Sequence, residues 1–146
     1  MAVNFKIAGS PAANVYQVDT MAVASGSAAS ISVGDMVTVA SGYAAKSANN
    51  AATSAGQFGV ALSVSTDTAS AAGTVVVAYS PAGLRITCLA KTPASLAQSV
   101  VYTGCKLYVT GAVQKVDQSN AGKIMIVAYD DTTNGNVTCL LPWSLA

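Results

Sequence analysis

Gly34-Asp35-Met36-Val37-Thr38-Val39-Ala40-Ser41-Gly42 and Gly104-Cys105-Lys106-Leu107-Tyr108-Val109-Thr110-Gly111 are the stretches on which the fold turns. Each begins at a glycine, runs through alternating Val, Thr, Leu or Tyr, and closes on a small turn residue. Branched and aromatic side chains lose rotamer freedom in a helix and pack well on a pleated surface, so both stretches read as strands. Ser41-Gly42 and Thr110-Gly111 read as the turns that end them. A lysine follows each turn after four residues, Lys46 in one case and Lys115 in the other.

The parallel continues outward from these stretches. A polar segment leads to Phe58-Gly59-Val60-Ala61 in the first half and to Ile126-Val127-Ala128 in the second. A glycine-led strand then follows, Gly73-Thr74-Val75-Val76-Val77 against Gly135-Asn136-Val137-Thr138-Cys139. The shared order of strand, turn, strand, loop, strand, glycine turn, strand predicts a duplicated β-meander, with halves at about 31–80 and 101–141 packed on one core. Candidate strands are Met36–Ala40, Phe58–Val64, Thr74–Tyr79, Leu84–Leu89, Leu107–Thr110, Ala112–Val116, Ile124–Ala128 and Val137–Leu141. Many short strands between turn residues point to a sandwich or a barrel. Asn134-Gly135 reads as a tight hairpin turn, because both residues tolerate positive φ. Thr92-Pro93, a capping residue before a proline, suits one short helical turn, and Ser47 to Gly56 reads as a loop. The expected class is all-β: a small sandwich or barrel with at most one or two helical turns.

Composition agrees. The chain has 146 residues, enough for one domain with a real core. Charged residues make up only 9%, far below the roughly 25% of ordinary domains. All the acids are Asp, so the Glu that favours surface helices is missing. A neutral surface rich in Ser, Thr and Ala suits a protein that ends up packed against others. Net charge is +1 and the cations are scattered singly, so no basic stripe for nucleic acid is visible in the sequence. The longest apolar runs, Val75 to Tyr79 and Ile124 to Tyr129, are too short to span a membrane. The first residues lack the charged leader and apolar run of a secretory signal, so we expect the chain to be made in a cytoplasm.

Residues 2–20 stand outside the repeat. Val3, Phe5 and Ile7 alternate with polar or small neighbours, and Val15 to Val18 forms a second extended stretch. Residues 1–20 therefore form either an edge strand of the same domain or an arm, with 21–146 as the β domain. On the arm reading, Val3, Phe5, Ile7 and Tyr16 are the expected protein-interaction residues, with Phe5 and Tyr16 as anchors.

Catalytic chemistry finds little to work with. Histidine and glutamate, the usual movers of protons near neutrality, are both absent. The serines lack a partner base and a nucleophile elbow, and no phosphate-binding glycine loop occurs. Cys88, Cys105 and Cys139 show no metal-ligand spacing and read as buried apolar residues. Asp130 to Asn136 carries oxygens but lacks the closing Glu of a calcium loop, and reads as a hairpin loop. Tyr79 and Tyr129, at matching places in the repeat directly after apolar strands, read as caps of the core with their hydroxyls outward. We expect no enzyme activity, no cofactor and no metal.

The text Gly34 to Val39, Gly59-Val60-Ala61 and Gly73 to Val77 resembles the small head-decoration, or cement, proteins of tailed bacteriophages. A worn second copy stands in Gly104 to Gly111, Ile126-Val127-Ala128 and Gly135 to Leu141, with Val127 where the first copy has Gly59. The resemblance covers about residues 31–141. It implies a β-rich structural protein on the outer surface of a capsid, often a homotrimer, that reinforces contacts between major capsid protein subunits. It implies neither nucleic acid nor membrane as a partner. Two other readings remain open: a carbohydrate-binding or adhesin-like β-sandwich, and another virion part such as a head-fibre base or tail-tube protein.

Overall fold

The computed structural model describes residues 4–9, 16–26, 28–47, 58–80, 83–130 and 132–141. Among the described residues eleven strands run in the order β1 (Lys6–Gly9), β2 (Gln17–Val23), β3 (Met36–Ala40), β4 (Tyr43–Lys46), β5 (Gly59–Ala61), β6 (Gly73–Tyr79), β7 (Leu84–Leu89), β8 (Gly104–Thr110), β9 (Val113–Ala121), β10 (Ile124–Tyr129) and β11 (Asn136–Leu141). They form two antiparallel sheets packed together as a sandwich, not closed into a barrel. One sheet has the order β2-β6-β5-β3-β4, the other β1-β7-β11-β10-β8-β9. The all-β class is as the sequence predicts.

These orders correct the extent of the repeat. Leaving out β1, the two sheets are the same five-strand unit: a hairpin, a third strand beside the first of the hairpin, a fourth, and an opening strand that returns to pair with the fourth. The duplicated units therefore span residues 17–79 and 84–141 and include β2 and β7, which the sequence reading left out. The unit is not a meander, because β5 pairs with β3 and not with β4, and β10 with β8 and not with β9. Both sheets curl: Ala90, just past β7, bridges Val116 of β9, and the Lys91 N–H donates to the Val116 carbonyl at 2.8 Å.

The hairpin turns follow local chemistry. Ser41 and Gly42 both have positive φ, 52° and 81°, as a type I′ turn requires. In the second unit the turn is Gly111-Ala112, with positive φ only at Gly111, so glycine holds the strained position of the alternative primed turn. Asn134-Gly135 is not a two-residue turn. Tyr129 pairs with Val137, and the Asp130 N–H donates to the Asn136 carbonyl at 3.0 Å, which closes a longer loop with Gly135 alone at positive φ. Two 3-10 turns, Pro93–Ser95 and Gln98–Val100, are the helical turns among the described residues, and Thr92 caps nothing with its side chain. The strand expected over 58–64 ends at Ala61. Most of the loop expected from Ser47 to Gly56 lies outside the described residues.

Each unit has its own core. Val23, Ile31, Val37, Ala44, Phe58, Ala61, Val75 and Val77 pack together in the first. In the second, Leu84, Ile86, Cys88, Cys105, Leu107, Val116, Ile124, Ile126, Val137, Cys139 and Leu141 pack with Phe5, Met36 and Val60 from outside the unit. Met36 and Val60 are direct partners on β3 and β5, so they share a face, and Val37 and Ala61 lie on the other. Both faces of these strands are thus buried: one in the first core, the other against the second. Tyr79 stacks on Phe58 with ring centroids 4.5 Å apart and donates its hydroxyl to Asp19 at 2.6 Å. Tyr129 packs on the other core but from β10, whereas Tyr79 ends β6, so the two are not equivalent places in the repeat.

Polar side chains fasten the seam between the units. Gln114, 1% exposed on β9, accepts the Met36 N–H at 2.7 Å and donates to the Met36 and Ser47 carbonyls at 3.3 and 3.1 Å. Beside it, Asn4 donates to Asp35 at 2.9 Å and to the Ala112 carbonyl at 3.0 Å. Lys46 reaches the same carbonyl at 3.1 Å and the buried Asp35 at 3.5 Å.

Residues 6–9 and 17–23 are edge strands of the folded domain, one of the two readings of this segment. β1 pairs with β7 at the edge of the larger sheet, and β2 pairs with β6 at the edge of the smaller. Replacing Gln114 by Ala strands the Met36 amide in the interior, and a stability loss of about 1–3 kcal/mol is expected. Phe5→Ala is expected to cost about 3–5 kcal/mol. Both are read as lowered urea midpoints with an unchanged slope.

Candidate interaction surface

The seam opens to solvent in a cleft of about 530 Å³ lined by Asn4, Ser32, Val33, Asp35, Lys46, Leu89, Ala112, Val113, Gln114 and Lys115. Its polar floor is the bonded group just described, so those side chains are already satisfied. Its rim is apolar: Val33 is 44% exposed, Leu89 40% and Val113 42%. They come from the loop before β3, the end of β7 and the start of β9, and only the seam between the units brings them together. A second depression, lined by Phe5, Lys6, Ile7, Tyr16, Val33, Gly34, Val60, Ala61 and Leu62, shares Val33 with the first. Leu62 there is 38% exposed and Tyr16 36%. Apolar side chains grouped this way, and not scattered, are the usual mark of a contact surface.

The expected interaction residues separate. Phe5 is 1% exposed and belongs to the core of its own domain, so it is not an anchor for a neighbour. The reason is geometric: the Phe5 N–H donates to the Gly34 carbonyl at 2.9 Å, which holds the ring over the second core. Ile7 is half-buried against that core, opposite Ile86. Tyr16 is exposed beside the second depression, and Val3 lies outside the described residues. Sequence reading missed Val33, Leu62, Leu89 and Val113. A correct hairpin register would have exposed Val113, which pairs with Thr110 on the face opposite Gln114.

Chemistry at the titratable groups is structural. Cys88 and Cys139 are free, with sulfurs 4.0 Å apart in the core. The hydrogen bond to Cys139, with burial, pushes the Cys88 thiol well up, and burial pushes Cys105 up to about 11. Neither thiol is a nucleophile at neutral pH. Among the described residues no three His, Cys, Asp or Glu side chains gather as metal ligands, and no helix is long and apolar enough to cross a membrane. The exposed Tyr16, Tyr43 and Tyr102 border three different depressions and do not form a sugar-stacking platform.

Two aspartates are held below the usual carboxylate range. Asp67 receives the Ser65 hydroxyl, which outweighs its burial, with further help from Ser30. Burial opposes ionisation of Asp117, but the Ser119 hydroxyl and N–H, the Asn120 amide and the Lys91 ammonium outweigh it.

No family model, curated protein or solved structure matches this chain.

The depressed aspartates fix the direction of the acid response. Their folded values lie below the ordinary 3.8, so the stability they give is present above that pH and is lost as pH falls through the folded values. Thermal midpoints are therefore expected to hold steady on acidification until about pH 4 and to fall below it. Asp117→Asn is expected to flatten part of that fall.

Proposed function

We propose that the protein is a structural component of a phage virion that binds the outer surface of the capsid, as a homo-oligomer with a trimer favoured, and reinforces contacts between capsid subunits. The observation that carries this reading is the apolar rim of Val33, Leu89 and Val113 around the inter-unit cleft, on a chain with so few charges. Burying such a rim against a partner removes apolar area from water, and a module that bridges two subunits raises the cost of parting them. The resemblance of the repeated strands to cement proteins supports the same reading, as does the lack of histidine and glutamate.

Rigidity suits the role. β1 and β2 add an edge strand to each sheet, and the Gln114 contacts tie one unit to the other. A body held this way presents its rim with little ordering entropy lost on contact.

Cryo-microscopy of particles from the source of this chain tests the proposal. Density for the chain is expected on the capsid exterior, at junctions between subunits; density confined to the tail or a fibre, or none at all, overturns it. A Val33→Asp, Val113→Asp double variant is expected to fold as the parent does and to bind capsids at least about tenfold more weakly.

A further inference from the structure

Cations that look scattered in the sequence are gathered by the fold. Residues 17–79 carry three Asp and one Lys, for a net charge of −2, whereas residues 84–141 carry five Lys or Arg and three Asp, for +2. Strand pairing places them further. Directly paired residues share a face. Leu107 and Val116 are buried partners, so the neighbouring pairs Lys106–Asp117 and Tyr108–Lys115 face outward. Ile86 and Cys139 are buried partners, so Arg85–Leu140 and Lys6–Thr87 face outward as well. Lys91 lies over the same side, 4.5 Å from the centre of the Tyr108 ring and 3.5 Å from Asp117. Lys123 is exposed in the turn between β9 and β10, one residue before the buried Ile124. Six of the seven Lys and Arg residues thus stand on the outward side of one sheet.

Their arrangement is informative. Lys6 and Arg85 occupy the β1–β7 side, and Lys106, Lys115 and Lys123 the β8–β9 side. Between them run β11 and β10, whose outward pair Leu140 and Met125 is half-buried and uncharged. Neighbouring strands lie about 4.8 Å apart, so the two cationic margins are separated by an uncharged strip about 14 Å wide. The equivalent place in the first unit shows the contrast. Met36 and Lys106 each stand five residues before the hairpin turn of their unit; Met36 is buried at the seam and Lys106 faces outward.

We propose that this outward face is a docking surface for a protein whose contacting face is uncharged at its centre and carries Asp or Glu at its margins; resting on the reading above, that protein is the capsid subunit. A second copy of this chain is the wrong partner, because two of the three aspartates of its first unit, Asp35 and Asp67, are buried. Single-stranded nucleic acid fits less well, because stacking needs open aromatic rings and the outward Tyr108 is covered by Lys91. Protein interfaces, by contrast, keep charge at the rim and apolar groups at the core. Among the described residues, the carboxylates that oppose the field are Asp117, neutralised by Lys91, and Asp130, directly after β10.

The test is co-sedimentation of the full chain with capsids that lack it, at salt from about 0.05 to about 0.5 M, which spans strong and weak screening. Lys106→Glu with Lys123→Glu, and separately Lys6→Glu with Arg85→Glu, are each expected to weaken binding about tenfold at low salt, and less at high salt. Ala24→Glu with Ser70→Glu, at exposed sites on the other unit, is expected to leave binding unchanged. Circular dichroism checks that each variant keeps the β fold. Wild-type binding that ignores both salt and the reversals overturns this surface and leaves the capsid reading standing. No wild-type binding at any salt overturns both. Tight wild-type binding to an oligonucleotide, lost in the reversals, assigns the face to nucleic acid and overturns the protein partner.

Discussion

The amide of Gln114 is the hinge of the design. Each five-strand unit curls around an apolar core, and nothing in a curled sheet by itself says how a second one should sit beside it. Apolar packing of Met36 and Val60 against the second core supplies attraction without direction. Gln114 supplies the direction, because its oxygen and nitrogen must meet the Met36 amide, the Met36 carbonyl and the Ser47 carbonyl together. At the same position of the first hairpin stands Ala44, which packs into its own core. One substitution between otherwise similar units thus marks which unit holds and which is held.

The N-terminal residues complete the seam. Asn4 bridges Asp35 and the tip of the second hairpin, Phe5 closes the second core, and β1 and β2 each add an edge strand to a different sheet. The segment that looks like a free arm works as a strap. Its apolar content, which suggests a partner when only sequence is considered, is mostly spent inside the domain. The surface left for partners is elsewhere, at the cleft that the strap helps to form.

Charge is distributed by the same logic. A chain with 9% charged residues has few to place, and the fold puts nearly all of its cations on the outward side of one sheet. Three of the aspartates, Asp35, Asp67 and Asp117, go to buried hydrogen-bonded positions. The result is a body with one cationic side and an apolar-rimmed seam, on a scaffold built from one repeated motif.

The sequence by itself determined the β class, most of the strands and the existence of the repeat, because Val and Thr runs between glycines are local signals that need no partner to be read. It also determined that proton-transfer chemistry is poorly supplied. Which strand pairs with which was not legible: β2 and β7 belong to the repeat through pairing with β6 and β11, across gaps of 49 and 46 residues. Of the candidate site, Tyr16 was readable, Phe5 was misread, and Val33, Leu89 and Val113 were invisible. Side-chain facing alternates along a strand, so a residue's side depends on register, and register is settled only when the sheets form. The same parity turns cations scattered along a hundred residues into one face. Tertiary structure alone decided that, because it fixes which side of each strand meets the core.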